Sequence, residues 1–313
     1  MNNATSQTSA KVLMLWPDAS EDIPSIIAEN YADLVCIESL YRPANTITRV
    51  IRKVLSILNL STLHFCEKWI EQIALFDMII IHANPINRSI PKMLRKRGYK
   101  GRIIYWWWNP VHMSISPNKI NRQDCELWSF SEDDCREWNL QYNSTYYFLH
   151  HKTHSSYSNK KILFCGQDKG RYAQLQHLKQ KLSAIGYESD FLIIKDSTSP
   201  KEGDFSPYIP YRQMVSRICE DYAIVEILQE GQTGMSLRVM ESLFFGKKLI
   251  SNNHTLEQEP FYSKKNIFIL GKDNISELKL FLETPMEKTS PDLKEHFDFS
   301  TWLQRFNITN NKI

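Results

Sequence analysis

The chain contains 313 residues, of which 42% are hydrophobic and 23% charged, and its formal net charge is +3. This composition is that of an ordinary globular protein, and the length suits two domains or one large domain. The small net charge gives no reason to expect nucleic acid as a partner. Residues 1–10 lack the apolar core of a signal peptide, no stretch has the ~18 apolar residues of a membrane span, and the six cysteines show no C-x-x-C spacing. We therefore expect a cytoplasmic protein with reduced thiols.

Strand and helix patterns alternate from end to end, which is typical of an α/β protein with mostly parallel sheets. A helix is predicted to begin after Ser131, whose side chain suits an N-cap. In the first half, apolar runs typical of buried strands predict strands at residues 11–16, 33–39, 76–83, 101–108 and 125–130.

The polar stretch "HHKTHSSYSNK" at residues 150–160 predicts an interdomain linker. Its histidines have no carboxylate or cysteine spaced to complete a metal site, so a solvated linker is favoured over a zinc site. We therefore predict one Rossmann-like domain over residues 10–150 and a second over 160–313. The sequence leaves open whether the terminal helix, residues 299–306, packs back on the first domain.

The second half begins with a predicted strand–helix–strand unit. The strand at 160–166 ends in Gly166, the helix at 172–186 has leucines on one side and Gly186 at its end, and the next strand covers 187–194. Further strands are predicted at 222–228, 247–251 and 266–270.

Ligands in open parallel sheets bind beyond the carboxyl ends of the strands, and "GQDKGR" follows one of these ends. Gly166 precedes Lys169 and Arg171 at the start of a helix, where amide groups and basic side chains suit a phosphate. The pattern is neither a dinucleotide fingerprint nor a P-loop, so an exposed turn with solvated charges is the alternative.

A second glycine-containing loop, "QEGQTGMS", leads from a strand into a helix near Ser236. Gly234 lies in this loop, and Arg238 and Glu241 share a helix face because they are three residues apart. They form either a ligand-binding pair or an ion pair of minor energy. Glu226, inside the preceding strand, is costly to bury unless it is paired with a cation or held near a ligand.

The order of these motifs resembles the C-terminal half of bacterial GT-B glycosyltransferase-like proteins of lipopolysaccharide core, O-antigen and capsule assembly, which are distantly similar to CgeB-type spore-maturation proteins. The matching segments in the second half are "GQDKGR", "YAIVEIL", "GQTGMSLRVMESL" and "GKKLISNN". In the first half, "IIYWWWNPV" and "CELWSFSEDDCREWNL" are similar to the same group. The resemblance covers most of residues 70–270 and implies two Rossmann-like domains that face each other across a cleft.

The resemblance also implies a nucleotide-diphospho-sugar donor bound mainly by the second domain. Lys169, Arg171 and the amides of residues 234–236 would face the diphosphate, Arg238 would stabilise the leaving nucleotide diphosphate, and Glu241 would hold the ribose or the sugar. No paired-carboxylate motif stands in a suitable loop, so we expect no metal and no cofactor besides the donor. The implied reaction is transfer of a hexosyl or deoxyhexosyl group to a lipopolysaccharide core or another cell-surface glycan, as a glycolipid or an oligosaccharide.

A general base would come from the first domain. Asp18 and Asp22 follow the first strand, and His82 ends the third predicted one, where a histidine with satisfied hydrogen bonds is the alternative. Asn109 and Glu226 stand where the group often has Asp. These departures leave two other functions open, a two-domain nucleotide-sugar or sugar-phosphate enzyme such as an epimerase, or a non-catalytic binding protein. Inverting and retaining chemistry are both open.

The most amphipathic stretch is "TITRVIRKVLSILNL" at residues 46–60, with apolar residues on one side and Arg49, Arg52 and Lys53 on the other. One interpretation is a surface helix packed on the first sheet through its apolar face. The other is a helix in contact with the inner face of the inner membrane or a lipid-linked glycan, which would make the protein a peripheral membrane protein.

Overall fold

A computed structural model describes residues 11–148, 160–229, 232 and 234–308. The predicted linker at 150–160 therefore lies, apart from Lys160, outside the described residues. The chain divides into two compact units, residues 1–148 with 302–313 and residues 149–301. We call them unit 1 and unit 2.

Unit 1 is built on a six-stranded sheet in which every pair of neighbouring strands is parallel, in the order β2-β1-β3-β4-β5-β6. Its strands are β1 Val12–Trp16, β2 Cys36–Ser39, β3 Met78–His82, β4 Arg102–Trp107, β5 Glu126–Ser129 and β6 Gln141–Tyr142. The helices between them are α1 Asp22–Asn30, α2 Thr46–Ile57, α3 Ile90–Lys96 and α4 Glu132–Trp138. Ser131 caps α4 by accepting a hydrogen bond from the Asp134 amide, which confirms the predicted N-cap.

Unit 2 has a five-stranded parallel sheet in the order β11-β10-β9-β7-β8. Its strands are β7 Lys161–Gln167, β8 Glu188–Ile194, β9 Ala223–Glu226, β10 Lys248–Ser251 and β11 Ile267–Ile269. Its helices are α5 Tyr172–Ala184, α6 Tyr211–Glu220, α7 Leu237–Phe245, α8 Leu278–Glu283 and α9 Pro291–Phe297. The helix α10, Phe299–Ile308, contains the boundary between the units, which falls after Thr301.

Both sheets have a topological switch point. In unit 1 the chain passes from β1 to β2 and then to β3 on the opposite side of β1. In unit 2 it passes from β7 to β8 and then to β9 on the opposite side of β7. Loops diverge at the carboxyl ends of such strands and leave a crevice there, so each switch point is the first place to look for a ligand.

The predicted strands and the α/β class are confirmed, because each apolar run contributes a strand to its sheet. The side chains of most of these strands are buried, whereas those of β2 and β8 are mainly half-buried. Within the described part of the chain, no helix is long and apolar enough to cross a bilayer.

Candidate functional site

The switch point of unit 2 opens because β7 and β9 separate soon after they begin. They pair only at Ile162 with Ala223 and at Leu163 with Ile224, although β7 continues to Gln167. Two arginines bind backbone carbonyl groups beyond this point. Arg238 Nη2 donates to the carbonyl oxygen of Cys165 at 3.0 Å, and Arg171 Nη1 donates to that of Ile227. The guanidinium group of Arg171 therefore connects the ends of β7 and β9, and that of Arg238 binds β7 beside it.

Arg171 lies at the start of α5 with its guanidinium held by the backbone. Burial lowers its pKa, and the positive charge of the nearby Arg238 acts in the same direction. Three of its five N–H donors are engaged, which leaves two for a ligand. The accepting carbonyl groups belong to Gln167, Asp168 and Ile227.

The turn before α5 is formed by two residues with positive φ, Lys169 at 48° and Gly170 at 77°. Asp168 is buried, and its Oδ1 accepts a hydrogen bond from the Tyr172 amide at 2.6 Å. The Lys169 amide donates to Asp196 Oδ2 at 2.8 Å. The amides at this helix start were expected to be free to bind a phosphate. This expectation is wrong for the Tyr172 amide, because it already donates its hydrogen bond to Asp168. The Lys169 side chain is exposed beside it.

Glu226 is buried at the end of β9 and accepts hydrogen bonds from two serine hydroxyl groups. Ser236 donates to its Oε1 and Ser251 to its Oε2. Burial raises the pKa of Glu226, while the two hydroxyl groups favour the ionised form. Both serines also accept backbone amides, from Arg238 at 3.1 Å and Asn253 at 2.9 Å. Glu226 thus fixes the start of α7 through Ser236.

Arg238 and Glu241 lie in the first two turns of α7 and form an ion pair. The Glu241 side chain has no exposed surface and also accepts a hydrogen bond from Tyr211 Oη at 3.0 Å. Burial raises the pKa of Glu241, and Arg238 opposes that rise. Burial alone would lower the pKa of Arg238, but the Glu241 carboxylate outweighs it and the pKa is raised. The pair therefore holds a permanently charged guanidinium at the switch point, with 19% of the Arg238 side chain exposed.

Three further residues shape this site, and none of them was predicted as a site residue from the sequence. Asn252 Oδ1 accepts the Leu228 amide at 2.7 Å, and Asn253 Nδ2 donates to the Gly234 carbonyl oxygen at 3.1 Å. These asparagines connect the loop after β9 to the end of β10. The two asparagines of "ISNN", at the end of a predicted strand, could have indicated this role in the sequence. Tyr211, from α6, had no local signal because its partner Glu241 is distant in sequence.

At the switch point of unit 1, His82 lies between two tryptophans. Its ring centroid is 4.4 Å from that of Trp16 and 5.3 Å from that of Trp108. Burial lowers the His82 pKa to about 4, so the imidazole is neutral at pH 7. Neither ring nitrogen has a hydrogen-bond partner among the described residues. The Leu15 backbone lies close enough to raise the pKa of the ring slightly, and both ring nitrogens are buried, so the imidazole is not open to a ligand in this structure.

Asp18 lies two residues beyond β1, on the same edge of the sheet as His82, and is exposed. Its Oδ1 accepts hydrogen bonds from the hydroxyl group and the amide of Ser20, at 2.6 and 2.9 Å. These bonds lower the pKa of Asp18. Asp22 is the first residue of α1. Among the described residues, no cluster of three or more His, Cys, Asp or Glu side chains could hold a metal ion.

Two doubly wound parallel sheets, each with a switch point, define the GT-B class of α/β fold. Neither a protein-family model nor a curated protein matches the chain. Among solved structures, the lipopolysaccharide outer core galactosyltransferase WaaB in its apo form has a TM-score of 0.55 at 12% identity, over 95% of this chain and 98% of that one.

Two further solved structures agree with this fold. HepE of Anabaena in complex with UDP-glucose has a TM-score of 0.55 at 11% identity, over 96% of this chain and 99% of that one. The UDP-forming α,α-trehalose-phosphate synthase of Burkholderia xenovorans has a TM-score of 0.54 at 11% identity, with the same two coverages. At such low identity these likenesses show the fold alone, and that fold is the one found in GT-B glycosyltransferases.

Proposed function

We propose that the protein is a glycosyltransferase that takes a sugar from a nucleotide-diphospho-sugar. The observation that carries the proposal is the pair of arginines at the switch point of unit 2. Arg171 and Arg238 both lie at the open ends of β7 and β9, and Lys169 is exposed next to them. A diphosphate is the ligand that such a group of cations suits best. The likeness to HepE in complex with UDP-glucose supports the same ligand class.

In this proposal Arg238 stabilises the negative charge that develops on the departing nucleotide diphosphate. Glu241 has no exposed surface, so we assign it to positioning Arg238 rather than to direct contact with a sugar. Lys169 and Arg171 bind the phosphate oxygens, and Gly166 leaves the approach to Arg171 open. A Cβ atom at Gly166 would lie 3.4 Å from Arg171 Nη2.

We assign the acceptor side to unit 1, with Asp18 as the base. The acceptor hydroxyl group would give its proton to an Asp18 carboxylate oxygen as its own oxygen bonds to the sugar C1, and the bond from C1 to the donor phosphate breaks with its electron pair leaving on the nucleotide diphosphate. The aromatic faces of Trp16 and Trp108 beside His82 suit a sugar ring. Asp18 is exposed on this edge, whereas His82, the alternative base, has both ring nitrogens buried.

We further propose that the acceptor is a lipopolysaccharide core or another cell-surface glycan and that transfer takes place at the cytoplasmic side of the inner membrane. The support is the motif resemblance and the likeness to WaaB.

Isothermal titration with UDP-, dTDP-, GDP- and CMP-linked sugars tests the donor class. We expect tight binding of one diphospho-sugar, and a large loss of affinity when the diphosphate of the same nucleoside is replaced by its monophosphate. The variant Arg217→Gln is the control, since it removes an arginine of unit 2 that pairs with Asp190 instead. Absence of binding to any nucleotide sugar would refute the proposal. Binding without transfer to any glycolipid or oligosaccharide would indicate a binding protein, and acceptor-independent conversion of the donor would indicate an epimerase-type enzyme.

A further inference from the structure

Helix α2 of unit 1 turns its apolar face to solvent. Seven large aliphatic side chains in and just after the helix are between 48% and 71% exposed. Single exposed apolar residues are normal, but a contiguous exposed apolar patch marks an interaction surface. We call this group the α2 apolar face, and it consists of Ile47, Val50, Ile51, Val54, Ile57, Leu58 and Leu60.

The side of α2 that faces the protein is polar. Ser56 is the buried residue of the helix, and its Oγ lies 2.8 Å from the carbonyl oxygens of both Pro85 and Ile86. The Arg52 guanidinium carbon lies 4.1 Å from the centre of the Tyr41 ring, a cation–π contact. The helix is therefore attached by a hydroxyl group and a guanidinium, with the half-buried Leu55 beside them, and the residues of the α2 apolar face take no part in the attachment. A surface helix of a globular protein normally has the opposite arrangement.

The charges that this segment itself carries are all of one sign. Residues 40–62 contain Arg42, Arg49, Arg52 and Lys53 and no Asp or Glu. Arg49 and Lys53 are exposed, and Asp18, in the loop after β1, lies near enough to Arg49 for the arginine to lower its pKa. In a two-fold dimer the same patch meets itself, so the basic residues of the segment would face their own copies. An anionic surface satisfies both the apolar residues and the charges.

We propose that α2 and residues 58–60 bind the surface of an anionic lipid bilayer, with the α2 apolar face inserted at the boundary between headgroups and acyl chains. An apolar face bordered by Lys and Arg, in a helix of about 18 Å, is the arrangement that interfacial helices use. Each basic residue near such a surface adds attraction to the acidic lipids. The interaction does not depend on the proposed transfer reaction, because none of the α2 residues belongs to the candidate site.

The position of α2 gives the interaction a consequence for unit 1. Pro85 and Ile86, which hold Ser56, lie in the loop after β3, and His82 is the last residue of that strand. The bilayer surface would therefore lie next to the carboxyl edge of the sheet. A sugar acceptor linked to lipid could reach this edge, where Asp18 is exposed, while its lipid remained in the membrane.

Vesicle co-sedimentation tests the inference, with vesicles of phosphatidylcholine alone and vesicles with one-third phosphatidylglycerol. We expect the parent protein to bind only the anionic vesicles and to be released at high salt. The triple variant Val50→Ser/Ile51→Ser/Val54→Ser is expected to bind at least roughly tenfold more weakly. Arg49→Gln/Lys53→Gln is expected to bind about 30-fold more weakly. Leu280→Ser removes an aliphatic side chain that is 66% exposed in unit 2 and is the matched control.

All substituted residues are exposed, so thermal unfolding should show that the variants keep their fold. The inference is overturned if the triple variant binds anionic vesicles as well as the parent does, or if binding needs no acidic lipid. It is also overturned if the parent is a dimer that the triple variant converts to a monomer, with no vesicle binding by either protein. In that case the α2 apolar face is a self-association surface.

Discussion

Arg238 and Glu241 contribute unequally to the site because they are unequally buried. The Glu241 carboxylate has no exposed surface, while 19% of the Arg238 side chain remains exposed. A carboxylate in such a position is tolerated only with a cation and hydrogen-bond donors, here Arg238 and Tyr211. Glu241, the buried member of the pair, is therefore structural, and Arg238, the partly exposed member, is available to a ligand.

Single and double substitutions separate these two roles. Arg238→Met and Glu241→Met should each lower the free energy of unfolding by about 3–5 kcal/mol, because each leaves an unpaired buried charge. The double variant should recover most of that loss, since no charge remains, yet it should not bind a nucleotide diphosphate. Urea unfolding and calorimetric titration measure both quantities. Normal binding by the double variant would show that Arg238 does not contact the ligand.

Another buried carboxylate, Asp221, makes stability depend on pH. Burial raises its pKa from 3.8 to about 6, and Asp190 adds to the rise. The unfolded chain loses this proton near pH 4 and the folded chain near pH 6, so the folded state loses stability as the pH rises between these values. The loss corresponds to about 3 kcal/mol.

Asp221→Asn removes this titration. The difference in unfolding free energy between variant and parent should therefore change in favour of the variant by about 2–3 kcal/mol between pH 4 and pH 8. Urea unfolding at these two pH values measures it. A difference that is the same at both would show that Asp221 titrates alike in the folded and unfolded chain.

At the scale of elements, the start of helix α7 depends on the Ser236 hydroxyl group, which makes two hydrogen bonds. Ser236 caps the helix through the Arg238 amide and donates to Glu226. Ser251, at the end of β10, donates to the other oxygen of the same carboxylate. The two serines thus share a partner but only one of them positions the turn that carries Arg238.

Ser236→Ala and Ser251→Ala form a matched pair for this reason. Each should lower the free energy of unfolding by about 1.5–3 kcal/mol, the value of a hydrogen bond to a charged group. Only Ser236→Ala should also weaken nucleotide binding, because it frees the first turn of α7. Equal binding by both variants would mean that the cap does not position Arg238.

The sequence predicted the elements well where local chemistry decides them. The strands follow from apolar runs, and α7 ends at Gly246, which has φ 62°, as expected for a glycine at a helix end. The sequence did not determine which face of α2 is turned towards the rest of unit 1. Amphipathicity separates an apolar from a polar face, but it does not say which face the protein holds. Ser56 and Arg52 decide this through contacts with a loop and with Tyr41, which the periodicity does not contain.

At the scale of the whole molecule, the sequence predicted two parallel sheets but not the order of their strands. Periodicity says which residues form strands, whereas neighbours in a sheet are set by long-range packing. The switch points follow only from the order. The motif order did indicate that "GQDKGR" lies on the strand next to the one that leads to Arg238, and the pairing of β7 with β9 confirms this.

Two aromatic residues near the unit boundary should affect different units. Trp302 is buried with Trp106 and Tyr146, at ring distances of 5.3 and 4.3 Å, and Phe297 lies 5.8 Å from Phe261. We expect Trp302→Ala to destabilise unit 1 and Phe297→Ala unit 2, each by about 3–5 kcal/mol. Hydrogen exchange followed by mass spectrometry should show faster exchange in β4 for the first variant and around residue 261 for the second. Exchange that rises in both units for either variant would contradict this division.

The return of α10 to unit 1 also fixes an order of events during translation. Trp302 and Phe306 complete the aromatic core around Trp106, but the ribosome adds them about 150 residues after Phe148. At roughly 5–20 residues per second this delay is about 8–30 seconds. Unit 2 is continuous in sequence and can complete its sheet within that time. While unit 2 is being synthesised, the nascent chain is therefore expected to carry unit 1 with its aromatic core still open.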